Sequence, residues 1–299
     1  MGQRWTCRLR TVLWLGLVLC VSTVRAASQD VNWQQTMPVQ NQNYDPPGWN
    51  PPNTDSKIHS LNRAFPCDLA AILTQTGRRE TEFGNTLEKF TAQESIEYKR
   101  FDRSGEQKET QSATFDYTFA FEDRDGGTVA EEHRAPNKGS HDFAEAGHDV
   151  GQVALALIFD PSLQTDYQMT CEGVDNWRGQ KSWVVRFEQR KDRPSRTFQF
   201  RDGKGTYPAM LKGRAWISSD SSQILHLEAN LTQVPTGTRL EGGAMSVDYG
   251  AVPVASGELT MWLPQRVRTY WDFKDSRAML VHSFSKFQVF LVKTKLTPQ

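Results

Sequence analysis

From Asp166 to Val292 the chain is a succession of short segments in which apolar and polar residues alternate, and this pattern limits the fold more than any other feature. A period of two sends successive side chains to opposite faces, so each such segment is a strand with one face to bury. In order, these segments are Asp166–Glu172, Lys181–Arg190, Thr197–Arg201, Met210–Ser218, Gln223–Leu231, Arg239–Tyr249, Glu258–Leu263, Arg266–Phe273 and Met279–Val292. Three more precede them, at Glu94–Phe101, Ala113–Glu122 and Thr128–His133. The serine-rich break after Ser218 and the dipeptide Asp202-Gly203 are hairpin signals. Apolar residues at helical spacing predict one helix over Asp68–Phe90, with Asp68 as N-cap, and a second over Phe143–Phe159, ended by Pro161. The expected class is α+β, with a large antiparallel sheet of about 11–12 strands.

The alternation also assigns faces. Trp183, Val185 and Phe187 share one side of their strand, opposite Val184 and Arg186. Leu225, Leu227, Ala229 and Leu231 share another, opposite His226, Glu228 and Asn230. Val267, Thr269, Trp271 and Phe273 form a third apolar row. Burial on one side is what a sheet curled over a core or a cavity requires. Two helices are little cover for so many strands. The residues expected to line a cavity are therefore Trp183, Val185, Phe187, Leu225, Leu227, Leu231, Trp271 and Phe273, with ordinary core packing as the alternative for each.

The N-terminus reads as an export signal. Arg4, Arg8 and Arg10 precede an uncharged run from Val12 to Val21, too short to span a bilayer. Cleavage after Ala26 puts Val24 three residues before the cut, whereas cleavage after Ala27 would put Arg25 there. Lipid anchoring at Cys20 is disfavoured, because large Leu19 precedes it and Cys20 lies inside the apolar run. Cleavage removes four of 35 basic residues and leaves 31 against 35 acidic ones, a net charge of −4. That balance argues against nucleic acid or an anionic membrane as partner. The remaining chain has no segment apolar and long enough to cross a membrane as a helix. Residues 27–60 carry few aliphatics and many Gln, Asn and Pro, so they are expected to be a disordered or extended tether, leaving 61–299 as the folded domain.

Cys67 and Cys171 remain after cleavage. In an oxidising compartment they either pair as a disulfide or sit apart as small buried side chains. Two cysteines without a nearby histidine pair make no zinc site. His141-Asp142 and His148-Asp149 place two histidines seven apart, not at the four-residue zinc-protease spacing, and read as loop residues. Glu131, Glu132 and His133 read as a solvated strand end, and Asn230-Leu231-Thr232 is a sequon within a strand. Gly126-Gly127 and Gly242-Gly243 lack the following helix of a phosphate cradle. No nucleophile elbow occurs. The expectation is a protein that is not an enzyme, with no cofactor and no metal.

Lys212-Gly213-Arg214-Ala215-Trp216-Ile217, a polar turn and Gln223-Ile224-Leu225-His226-Leu227-Glu228 form a strand–turn–strand unit. Tyr249-Gly250, Met261-Trp262-Leu263-Pro264 and Phe284-Ser285-Lys286-Phe287 follow it in order. This arrangement resembles secreted proteins of acidobacterial type that look like outer-membrane lipoprotein-sorting proteins of the LolA/LolB superfamily, over roughly residues 66–292. The resemblance implies an incomplete antiparallel β-barrel whose concave side is covered by helices. It also implies an apolar cavity for lipid or lipoprotein acyl chains, in a carrier working in the periplasm. The alternative is an envelope sensor or scaffold using the same groove for a protein partner, with the 27–60 arm as its docking segment.

Overall fold

The computed structural model describes residues 48–124, 127–137, 149–151, 153–202, 205–234, 236–254 and 259–291. The apolar stripe that begins after Cys67 forms helix α1, Leu69–Thr86, and Asp68 caps it by accepting a hydrogen bond from the Ala71 backbone N–H at 3.0 Å. The helix is shorter than the periodicity suggests. After Thr86 the apolar positions Phe90, Ala92 and Ile96 fit a strand as well as a helix, and the chain passes directly into β1, Leu87–Phe101. β2 is Gln107–Arg124 and β3 is Gly127–Pro136. The segment expected to be a second long helix is divided. Residues 141–148 lie outside the described ones, Asp149–Val150 is the short strand β4, and Val153–Phe159 is a single 3-10 helix. The 3-10 helix stops at Phe159, two residues before Pro161, and Pro161 itself begins α2 (Pro161–Gln164), where its missing N–H costs nothing.

The remaining strands follow the alternation. They are β5 (Tyr167–Trp177), β6 (Gln180–Gln189), β7 (Gln199–Asp202), β8 (Gly205–Pro208), β9 (Leu211–Ser218), β10 (Ile224–Leu231), β11 (Leu240–Val254), β12 (Leu259–Phe273) and β13 (Arg277–Leu291). Ten of them make one open antiparallel sheet in the order β3-β2-β1-β13-β12-β11-β10-β9-β6-β5, and β4, β7 and β8 form a separate small sheet. The two segments expected at Glu258–Leu263 and Arg266–Phe273 are one strand. The register shifts between Asp248/Tyr249 on β11 and Arg266/Pro264 on β12, a bulge that admits a proline into the ladder.

One face of the sheet carries the main core. Phe90, Tyr117, Phe119, Val185, Phe187, Leu227, Val247 and Trp271 belong to it, as do Ile72 of α1 and Val153, Leu155, Ile158 and Phe159 of the 3-10 helix. α1 approaches this layer closely at Gly77, where a Cβ would come within 2.7 Å of the Gln164 amide and 3.0 Å of the Phe159 carbonyl. The Gln164 side chain fixes that contact by donating to the Phe159 and Leu73 carbonyl oxygens at 2.6 and 3.1 Å.

The other face is less bare than one-sided alternation implies. It holds two smaller apolar clusters, one around Phe101, Tyr270 and Met279 and one around Leu61, Val184 and Trp216. Residues 48–60 lie on this face without helix or strand of their own; residues 27–47 lie outside the described ones. Trp49 packs edge-on against Phe101 and Tyr270, and Ile58 joins the second cluster. Between these anchors the backbone is held by polar side chains. Asn230 accepts from the Thr54 N–H and hydroxyl at 2.9 and 2.6 Å and donates to the Pro52 carbonyl, while Arg186 donates to the Thr54 carbonyl and to Asp55. Few aliphatics are needed when hydrogen bonds and two apolar anchors share the task.

Cys67 and Cys171 are disulfide-bonded across a sequence separation of 104, joining the start of α1 to edge strand β5. Closing a loop of roughly 100 residues stabilises by about 4–5 kcal/mol on the chain-entropy model. Cys67→Ser/Cys171→Ser, or thorough reduction, should lower the melting temperature by on the order of 10 °C. Superimposable melts with and without reductant would show that the bond contributes nothing.

Candidate functional site

Seven of the eight sequence-derived cavity residues belong to the main core or pack against it, and most of them are covered. Val185, Phe187, Leu227 and Trp271 are no more than 1% exposed. Phe187 meets Phe159 and Tyr167 edge-on, and Trp271 meets Phe198 and Phe200. Trp183, Leu231 and Phe273 are partly buried at the margin of the same core. Leu225 departs from the row. The register shift between Ile224 and His226 makes it the extra residue of a bulge, and Ile224 joins the main core instead.

Open space lies elsewhere on the same side. A cavity of about 300 Å³ is bounded by the C-terminal half of α1, the 3-10 helix and strands β10, β11 and β12. Its walls are Phe83, Val153, Ala154, Ala156, Leu157, Ile224, Tyr249, Met261, Trp262 and Pro264, with Arg79, Glu82, Gln223 and Thr260 among its polar groups. The Trp262 indole N–H donates to the Ile224 carbonyl at 2.6 Å, tying β12 to β10 across one wall. Arg79 donates to the Ser221 carbonyl at 3.2 Å and pairs with Glu82 at 3.0 Å. Apolar walls with a few polar groups are the usual make-up of a small-molecule site, and the volume falls at the low end of the ~300–1,000 Å³ range.

Glu80 also lines this cavity, and it stands out. It is 7% exposed, and burial, with Asp160 nearby, raises its carboxyl from 4.5 to about 8. The Tyr249 hydroxyl, on the same cavity, is pushed well above its ordinary range by burial. The sequence carried a signal for Glu80 that periodicity alone passed over. Ile72, Thr76, Glu80, Phe83 and Leu87 recur at spacings of four and three, so an acid occupies a position in the apolar stripe.

Two further polar clusters are built into the sheet. On the core side, Arg134 makes a bidentate pair with Glu94 at 2.7 and 3.1 Å, His282 Nδ1 lies 2.8 Å from Glu94, and Glu132 accepts from the Gly151 N–H at 3.1 Å. Glu132 is thus interior, not a solvated strand end; burial, reinforced by Glu94, raises its carboxyl despite Arg134. Burial acts on Glu94 in the same sense, but Arg134 and His282 outweigh it and hold Glu94 below the usual carboxylate range. His133 is exposed, and His141 and His148 lie outside the described residues.

On the opposite face a cleft of about 490 Å³ is lined by Trp177, Arg178, Arg214, Trp216, His226 and Asp248, and by Asn50–Asn53 of the N-terminal segment. His226 stacks on Trp177 at 3.9 Å and its Nδ1 lies 2.8 Å from Asp248. Burial opposes the charged imidazole, but Asp248 and Glu228 outweigh it and raise its pKa. Asp248 also receives Arg178 and Arg268 at 3.0 and 3.2 Å, which leaves the cluster internally paired.

Among the described residues no group of three or more histidine, cysteine or acidic side chains is placed to hold a metal ion. No helix among them is long and apolar enough to cross a membrane.

No protein-family model matches the chain, and no curated protein matches it in sequence. Among solved structures it is similar to a DUF1329 family protein from Desulfovibrio piger, at 11% identity and a TM-score of 0.40, over 78% of this chain and 96% of that one. It is also similar to a LolA superfamily protein from Nitrosomonas europaea, at 13% identity and a TM-score of 0.33, over 78% and 99% of the two chains. A third similarity is to Pseudomonas aeruginosa MucB, solved in complex with MucA, at 12% identity and a TM-score of 0.23, over 74% and 95%.

Proposed function

We propose that the protein is an exported carrier that holds an acyl chain of a lipid or lipoprotein in the cavity beneath α1. The observation that carries this reading is the apolar, roughly 300 Å³ space on the core face of an open sheet. In this reading the sheet is an incomplete barrel, α1 and the 3-10 helix cover its concave side, and the signal is removed after Ala26 to give a soluble periplasmic product. The binding energy is apolar transfer, worth roughly 25 cal/mol per Å² removed from water, so no catalytic group, metal or cofactor is required. The cavity walls replace the eight strand residues as the proposed ligand contacts, and those eight, Leu225 apart, serve as the packed layer that supports them.

The test is uptake of the neutral apolar fluorophore N-phenylnaphthylamine by delipidated protein. Wild type should take it up saturably, and Ala156→Phe, which fills the space, should weaken uptake roughly tenfold or more while the protein still melts cooperatively. Absence of uptake by wild type, or full uptake by the filled variant, would overturn the reading.

A second reading, a sensor or scaffold for a protein partner, is favoured by the cleft around Trp177, His226 and Arg178. Residues 48–60 already engage their own sheet, so in that reading this segment forms part of the cleft wall and is not a free docking arm.

A further inference from the structure

We propose that Glu80 is a ligand-anchoring group, and that the occupant of the cavity is an acyl chain with a neutral ester or amide carbonyl and not a free carboxylate. This inference rests on the carrier reading and names the ligand class for the same site.

Glu80 is the observation behind it. Its side chain is more than nine-tenths buried and lines both the main cavity and a second one of about 190 Å³ beside it, shared with Thr81, Asp160 and Ser162. Yet among the described residues it has no hydrogen-bond or ion-pair partner. Arg79, the adjacent cation, is engaged by the Ser221 carbonyl and by Glu82. Asp160 acts on Glu80 only as a like charge, its own oxygens being used by Thr81 and by the Ser162 N–H and hydroxyl at the start of α2. A polar group held this deeply without a protein partner costs free energy unless water or a ligand entering the cavity completes it.

The chemistry of the missing partner follows. A buried carboxyl in the neutral form donates through its O–H while its carbonyl oxygen still accepts, and a ligand carbonyl oxygen complements the donor. A ligand carboxylate would instead bring a third acidic group beside Glu80 and Asp160 into an apolar space. The groups that face Glu80 are few. Arg79 and Glu82 lie on its own helix, Asp160 just before α2, and Tyr249 on β11; β10 with the residue before it, and β12, contribute only uncharged lining residues, Gln223, Ile224, Thr260, Met261, Trp262 and Pro264. The raised carboxyl value of about 8 agrees with a neutral donor at pH 7.

The experiment displaces N-phenylnaphthylamine from the full-length mature protein with monolauroylglycerol and, separately, with laurate, which share one chain and differ in the head. At pH 7 the ester should bind about tenfold more tightly, the contribution of one hydrogen bond. Glu80→Gln, which still donates, should keep the preference and make it independent of pH up to 10, whereas in wild type it should fade above pH 8. Glu80→Met should abolish it. Laurate binding as tightly as the ester in wild type, or an ester preference surviving in Glu80→Met, would overturn the inference while leaving the carrier reading intact. Failure of fluorophore and both lipids to bind would remove both.

Discussion

Replacing Glu80 by glutamine is expected to raise the melting temperature of the ligand-free protein by on the order of 10 °C at pH 9 and to leave it nearly unchanged at pH 4. The folded carboxyl titrates near 8 against an ordinary 4.5. Below the unfolded value both states hold the proton, and Glu80 makes no pH-dependent contribution. Between the two values the unfolded chain releases its proton while the folded one retains it, so stability falls by about 1.4 kcal/mol for each pH unit. Above the folded value the penalty is complete, at roughly 4–5 kcal/mol. Glutamine does not titrate, so the slope should disappear from the variant. A wild-type melting temperature that stays level from pH 5 to 8, or a variant that retains the slope, would show that Glu80 is solvated.

The second large effect belongs to Arg134. Arg134→Leu leaves Glu94 and Glu132 in the interior without their cation, and breaking one partner out of a buried pair costs about 3–5 kcal/mol. Denaturant unfolding at pH 7 should report that loss, and Glu94→Leu in the same chain should recover part of it, because the stranded charge is then gone. The deficit should be smaller at pH 4. Glu94 is held below the usual range in the folded wild type, so its contribution is present above about 4.5 and is lost as the pH falls through its folded value. Acid thus erases in wild type what the substitution removes. A deficit under 1 kcal/mol at pH 7 would mean that water reaches the cluster.

How much of this could be read from the sequence depended on which interactions repeat. Strands repeat every two residues, so Val185 and Phe187, or Val267 and Trp271, announce their face, and the antiparallel sheet follows. A bulge is a single irregularity and leaves no periodic trace; Leu225 was placed in the apolar row for that reason, and one extra residue takes it out. At residues 48–60 composition left disordered and extended chain undivided. Scarce aliphatics suggested no order, but Trp49, Ile58 and the polar contacts of Thr54 and Asp55 with Asn230, Arg186 and Lys212 supply it from distant parts of the chain. The cavity was hidden for a related reason. Its walls come from α1, the 3-10 helix and three strands, and only the fold brings them together. The Glu94–Arg134–His282 network is likewise spread over three strands, with sequence separations of 40 and 188.

α1 is secured at both ends. The disulfide holds the residue just before its N-cap to β5, and Thr86 passes without a loop into Leu87, a residue 1% exposed in the core. A helix fastened in this way does not swing as a lid. A guest molecule would therefore enter past side chains such as Arg79, Glu82 and Gln223, which reorient within picoseconds to nanoseconds where exposed. If the proposed carrier reading holds, the slow event in loading belongs to the guest, as it leaves its micelle or bilayer, and the protein is a standing receptacle whose abundance sets capacity more than pace.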